Sequence, residues 1–269
     1  MAIDVRTART VLAPPSGAEV ARDLVYRVDG ERTLHLDVYR PAGVRAPRPA
    51  VFLVSGDAPE EVISHSKDWG VFSSYGEHLA GNGLVGVAFD HRSAERFTRI
   101  AGVAADVAAA IAFVRSRGDA LGVDPDRVAV WVFSAGGPFG IAPLLRERPA
   151  WLRCVAGFYT VWDLRPFLQD GGRGPLEEEA LRLWSPVVAL DDPTGLPPIL
   201  IARADRDAEP FVVGTDRFVA RARAVGADVT VLDHPTGQHG FDTRDDVERS
   251  REIIRDTLAF FVRHLRPRP

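Results

Sequence analysis

A hydroxyl, a carboxyl and an imidazole, widely separated in the chain, carry the chemistry this sequence can do. Ser134 stands where an apolar, β-branched run, Arg127 to Phe133, stops and the small residues Ala135-Gly136-Gly137 begin. A strand that turns sharply into a helix leaves a serine at the apex of such a junction. The hydroxyl is lifted off the backbone, and the next amide is left to bind an anion. A serine hydroxyl is a weak nucleophile at neutral pH, so it needs a base and a group that orients the base. Both kinds of group lie downstream, in Ala204-Asp205-Arg206-Asp207 and in Gly237-Gln238-His239-Gly240-Phe241. An N-cap is the structural alternative for Ser134, but a cap would need neither an acid nor a histidine later in the chain.

Among the histidines, His239 sits between Gly237 and Gly240, which permit the tight loop that delivers a ring to the serine. His234 ends an apolar run just before Pro235 and is placed for a structural hydrogen bond. His35, His65, His78, His91 and His264 fall before the junction or in the last helical stretch, where surface or structural roles suit them. Asp205 and Asp207 both follow the run Ile199 to Ala202, and Asp205 could instead cap the turn by accepting from nearby amides. Asp233 is a further carboxyl close to the histidine.

The elements that must position these groups are legible as periodicity. Leu24 to Val28 and Thr33 to Tyr39 alternate around Asp29-Gly30, a hairpin signal. Ala50 to Val54, Leu84 to Phe89, Arg127 to Phe133, Cys154 to Phe158, Ile199 to Ala202 and Val229 to Leu232 are short apolar runs, as strands buried on both faces are. Helical spacing marks Trp69 to Ala80, Arg99 to Arg117, Thr215 to Val225 and Val247 to His264. Strands alternating with helices require right-handed crossovers and a mostly parallel sheet covered on both faces, here of about eight strands with the hairpin antiparallel at one edge. Residues 1–269 read as a single α/β domain. Residues 160–198 fit the alternation badly: they hold Trp162, Phe167, Gly171, Gly172, Gly174, an acidic run Glu177 to Glu179 and Trp184. Long connections in compact domains are usually functional.

The chain of 269 residues has a net charge of −4 and 46% hydrophobic residues, enough for a sizeable core and without the basic footprint of a nucleic-acid binder. No apolar run nears the roughly 20 residues that span a bilayer, and residues 1–13 lack the apolar centre of a signal peptide. Neither a nucleic-acid nor a membrane partner is expected, and the cytoplasm is the expected location. The single cysteine, Cys154, lies among apolar residues and reads as a core thiol. Gly81-Asn82-Gly83-Leu84-Val85-Gly86 matches a dinucleotide fingerprint as text, but it leaves a helix and enters a strand, the reverse of what that fingerprint needs. With no phosphate loop, His-Glu-x-x-His or Cys-x-x-Cys, no cofactor and no metal are expected. The charged stretch Asp90-His91-Arg92, with Glu95, Arg96 and Arg99, reads as a salt-bridged loop or as a site for a substrate carboxylate.

Ser134, then the Asp205/Asp207 pair, then His239 follow the chain order of the α/β-hydrolases. From Leu24 onward the sequence resembles that superfamily, in particular its small bacterial serine esterases and dienelactone-hydrolase-like members. One departure stands at the nucleophile: Val132 occupies the first glycine of the usual Gly-x-Ser-x-Gly pattern, so neighbouring residues must make room for it. The resemblance implies Ser134 as nucleophile, His239 as base and Asp207, counted from the strand end, as acid. It implies an oxyanion hole from the amide of Ala135 and one from the loop after Val54, with Asp57 first and Gly56 second. The Asp57 carboxyl must then turn away or meet a polar substrate group. The resemblance further implies a small partial cap at 160–198, with Trp162, Phe167 and Trp184 lining an apolar pocket or packing in the core. The function to expect is cleavage of a small-molecule carboxylic ester through an acyl-enzyme. Other bonds (lactone or dienelactone, peptide, carbon–carbon) and a non-catalytic binding protein on the same fold are the alternatives.

Overall fold

The computed structural model describes residues 6–169 and 178–267. Eight strands form one sheet: β1 (Ala18–Asp29), β2 (Arg32–Pro41), β3 (Arg48–Val54), β4 (Val85–Phe89), β5 (Val123–Phe133), β6 (Leu152–Phe158), β7 (Ile199–Ala204) and β8 (Val229–His234). Their order is β1-β2-β4-β3-β5-β6-β7-β8. β1, β2 and β4 pair antiparallel, and every later pairing is parallel. This is the sheet that the alternation of apolar runs and helical spacing requires. The hairpin turns at Gly30, whose φ of +61° a side chain would resist.

Helices α1 (Glu60–Ile63) and α2 (Gly70–Gly81) join β3 to β4, and α3 (Ile100–Ser116) and α4 (Gly118–Leu121) join β4 to β5. A π-helical turn (Gly137–Ile141) and α5 (Ala142–Glu147) follow β5. Then come α6 (Arg165–Gln169), α7 (Glu178–Trp184) and α8 (Glu209–Ala224), with α9 (Phe241–Arg244) and α10 (Glu248–His264) after β8. α8 starts earlier than the expected Thr215, because Glu209 and Pro210 form its first turn, where an acidic residue and proline are both favourable. β5 also starts earlier than expected. Val123 pairs with Arg48 before a register shift, so the strand already includes Asp124-Pro125-Asp126, ahead of the run Arg127 to Phe133.

Strand side chains alternate between two cores. Phe52, Val54, Val130, Val132, Ile199 and Ile201 face one side, under α3 and Phe218 of α8. Val51, Leu53, Trp131, Phe133 and Phe158 face the other, under Phe72, Tyr75 and Leu79 of α2 and Ile253, Leu258 and Phe261 of α10. Both faces are dry, so the strands read as continuous apolar runs. Every parallel strand therefore presents its carboxyl end to one rim of the sheet, and the loops carrying Ser134, Asp207 and His239 all leave from that rim.

Of residues 160–198, the described part is tied to the first core. Val161, Trp162, Leu164 and Leu190 are buried there. The Val187 N–H donates to the Trp162 carbonyl at 2.9 Å. Asp163, fully buried, accepts from Ser185 and pairs with Arg165 and Arg217. Gly171, Gly172, Gly174 and the start of the acidic run lie outside the described residues.

Candidate active site

Ser134 ends β5 with a φ of +53°. A non-glycine residue in that region costs of order 1–3 kcal/mol and persists only where its surroundings hold it. Here the end of β6 does so. The Ser134 N–H donates to the Phe158 carbonyl at 3.2 Å and the Val161 N–H donates to the Ser134 carbonyl at 2.9 Å. The Thr160 hydroxyl donates to the same carbonyl at 2.6 Å and accepts from the Gly137 N–H. Val132 is accommodated one helical turn further on. A Cβ on Gly136 would lie 3.0 Å from the Val132 Cβ, and one on Gly140 would lie 2.8 Å from its Cγ1. The small residues that the turn needs sit on the helix at 136 and 140, opposite the bulky strand residue.

His239 Nε2 lies 2.9 Å from the Ser134 hydroxyl oxygen, and His239 Nδ1 lies 2.7 Å from Oδ2 of Asp207. The other Asp207 oxygen accepts from the Ala208 N–H at 2.7 Å. The carboxylate is almost fully buried and the imidazole about one-third exposed. Two backbone bonds stitch the loops that carry this pair. The Asp205 N–H donates to the His234 carbonyl, and the Arg206 N–H donates to the Gly237 carbonyl at 2.9 Å. Asp205 itself turns away to pair with Arg203 at 2.7 Å. His234 is buried, with Nε2 2.9 Å from the Ser250 hydroxyl, and burial lowers its pKa. Its ring packs so close to residue 237 that a Cβ there would lie 2.5 Å from it, which requires the glycine.

The loop after β3 approaches the serine through Gly56, and the residue before it is fixed from below. The Ser55 hydroxyl lies 2.7 Å from Nε2 of His91, whose Nδ1–H donates to the Arg92 carbonyl at 2.8 Å. Burial lowers the His91 pKa and favours this neutral form. The Asp57 carboxylate faces the 93–96 loop, where it accepts from the Ser93 hydroxyl and from the N–H groups of Ala94 and Arg96. Its charge is thereby satisfied without pointing at the serine. The charged stretch after β4 is a salt-bridged loop: Arg92 pairs with the buried Asp106 and with Asp29, both at 2.7 Å, and Glu95 pairs with Arg99.

A family model described as BD-FAE matches residues 36–144, the stretch from β2 through Ser134 to α5. An isoprenylcysteine alpha-carbonyl methylesterase of Arabidopsis thaliana is 27% identical over 237 residues, which cover 78% of this chain and 54% of that protein. The chain thus spans about half the length of that curated relative. A truncated carbohydrate esterase from gut microbiota superposes with a TM-score of 0.73 at 18% identity, over 94% of this chain and 99% of the other. A propionate-bound thermophilic esterase of the planctomycete Thermogutta terrifontis superposes with a TM-score of 0.68 at 25% identity, over 94% and 97%.

The chain has the α/β-hydrolase fold.

On this α/β-hydrolase fold a cavity of about 240 Å³ opens beside Ser134. Its apolar wall comes from Trp69 and Phe72 at the start of α2, from Phe133 and Tyr159, and from Ala8. None of the three aromatic residues expected at a pocket lines this one. Trp162 is fully buried in the first core, 4.4 Å from the ring of Phe218. Trp184 lines a separate cavity of about 230 Å³ between α3 and α5, which shares no lining residue with the one at Ser134. Trp162 is a core residue under α8, and Trp184 is a half-buried residue packed against the same core beside α5. Phe167 packs edge-on against Phe211 at 4.7 Å, and Phe211 lies 4.6 Å from the His239 ring, so Phe167 stands one ring away from the base.

The sequence reading missed a buried group behind the imidazole. Tyr159, at a φ of +38°, lies 4.7 Å from His239, and its hydroxyl donates to Asp242 at 2.8 Å. Tyr75 donates to the other oxygen of the same carboxylate at 2.6 Å. Burial raises the pKa of all three groups. No spacing announces this cluster, which joins α2, β6 and α9. Among the described residues, no group of three or more His, Cys, Asp or Glu is arranged to hold a metal ion. No helix among them is long and apolar enough to cross a membrane.

Proposed function

We propose that this α/β-hydrolase is a serine hydrolase that cleaves carboxylic esters of small or medium-sized substrates through an acyl-enzyme. The observation that carries the reading is the unbroken chain Asp207–His239–Ser134, at 2.7 and 2.9 Å. Ser134 attacks the ester carbonyl while His239 Nε2 takes its proton, and Asp207 holds the ring in the Nδ1–H tautomer and balances its charge. The Ala135 amide and an amide of the Gly56–Asp57 loop meet the developing oxyanion. His239 then gives its proton to the leaving alcohol and, as base again, activates the water that releases the acid.

The methylesterase and esterase names of the relatives support an ester as the bond cleaved. The apolar wall of the cavity supports an uncharged arm on the substrate. The proposal keeps residues 160–198 as a partial cap that contributes Phe167, and it places the enzyme in the cytoplasm with small esters as its partners.

A fluorophosphonate probe tests the reading. Stoichiometric labelling at Ser134, abolished in Ser134→Ala, is the expected result. A serine that stays inert under conditions that label an esterase control would point to a binding protein. Turnover of p-nitrophenyl esters, lactones and peptide amides then separates the bond types.

A further inference from the structure

Residues Arg6 to Leu12 lie outside the residues matched by the family model and precede the stretch that carries the resemblance. They run over the molecule as an irregular strap, fixed at both ends. At one end the Gly70 N–H, at the start of α2, donates to the Arg6 carbonyl at 3.0 Å. The fit there is tight: a Cβ on Gly70 would lie 2.7 Å from the Ala8 carbonyl oxygen and 2.8 Å from that of Thr7. At the other end the Val11 N–H donates to the Asp242 carbonyl at 2.8 Å, on the helix that directly follows His239 and Gly240. Between and beyond these points Arg9 pairs with Glu77, Thr10 meets His78 Nε2 at 3.2 Å, and Val11 and Leu12 pack on the second core. In the middle of the span Ala8 forms part of the wall of the cavity at Ser134.

We infer that this strap, through Ala8, sets the length of acyl chain the site accepts. The inference rests on the ester-hydrolase reading above. The leaving alcohol takes its proton from His239, whose ring is partly exposed, so it departs on the open side. The acyl arm stays bonded to Ser134 and lies against Phe72, Phe133 and the strap. A cavity of about 240 Å³ holds on the order of eight water-sized groups at ~30 Å³ each. This suits a short to medium acyl chain that ends at Ala8. Alanine leaves that space open, and a larger side chain at position 8 fills it from the strap side.

The test measures kcat/KM on p-nitrophenyl acetate, butyrate, hexanoate and octanoate for the wild type, Ala8→Trp and Gly70→Val. Ala8→Trp is expected to lower the octanoate-to-acetate ratio tenfold or more. Gly70→Val pushes the strap off α2 without adding bulk to the cavity, and it is expected to raise the same ratio at least threefold. If Ala8→Trp fails to fold, Ala8→Leu and Gly70→Val still give opposite expected shifts. Changes that scale all four esters by one factor in both directions of substitution overturn the role of the strap while leaving the hydrolase reading intact. A wild-type chain that turns over no ester and takes no fluorophosphonate overturns the hydrolase reading, and this inference falls with it.

Discussion

Gly56 lies so close to Ser134 that a Cβ at position 56 would come within 2.8 Å of the serine Cβ and 3.3 Å of the Ala135 nitrogen. Real Cβ contacts are not that short, so a side chain there must displace either Ser134 or the loop proposed to supply an oxyanion amide. Losing one oxyanion donor costs about 10²–10³ in kcat. Gly56→Ala is therefore expected to lower kcat by at least about a hundredfold. Circular dichroism and the melting temperature should stay near wild type, because position 56 is at the rim and not in either core. Near-normal turnover in Gly56→Ala would remove this loop from the proposed oxyanion hole.

Asp207 and Asp205 stand two positions apart but meet different partners, His239 in one case and Arg203 in the other. Asp207→Asn replaces an acceptor by an amide and favours the wrong imidazole tautomer. In a serine triad that change costs about 10⁴ in kcat, and the same order is expected here. Asp205→Asn should change kcat only a few-fold. Steady-state kinetics on one ester with both variants decides between the two carboxyls.

Val132 and Gly140 touch across the strand–helix turn. Gly140→Ala would bring its methyl to 2.8 Å from Val132 Cγ1, an overpacking expected to cost about 1–3 kcal/mol. Val132→Ala removes that methyl, so the double variant should be more stable than the sum of the single losses predicts, by on the order of 1 kcal/mol. Urea unfolding of the four proteins of the cycle measures the coupling. Strict additivity would mean that the valine is not accommodated by the glycine.

Asp90 is buried beside Lys67, whose N–H donates to it at 3.1 Å. Burial pushes its carboxyl up to about 7, against the opposing pull of Lys67. The folded pKa therefore exceeds the unfolded one, and the native state holds the extra proton in between. Stability linked to this group is full below about pH 4 and is lost as pH rises toward 7. Asn at position 90 can still accept from Lys67 and never has to ionise. Asp90→Asn is expected to be more stable than wild type at pH 8, by about 1–4 kcal/mol at ~1.4 kcal/mol per pKa unit. The gap should close below pH 4. Thermal unfolding across pH 4–8 checks this, and a gap that widens toward acid would reverse the assignment.

The architecture was legible because its signals are local. A strand buried on both faces must be apolar throughout, so β3, β4, β6 and β7 announce themselves, and Asp29-Gly30 marks the hairpin. Edges were less clear. The early start of β5 depends on Val123 finding Arg48 on another strand, which no local pattern records. The order of nucleophile, acid and base and the glycines around His239 were also readable, since a tight turn demands particular residue types at particular positions.

The sequence by itself thus determined the sheet, the loops that leave its rim and the residue types available there. Only the tertiary structure decided which carboxyl reaches the imidazole. It also decided that Trp162 is enclosed under α8 and Trp184 packs beside α5 while Phe211 and Tyr159 flank His239, and that Ala8 lines the cavity. The physical reason is that periodicity encodes which face of an element is buried but not what it is buried against. Asp242, held by tyrosines from α2 and β6 and by the amide of Val11, takes its surroundings from three distant segments that meet only in the folded chain.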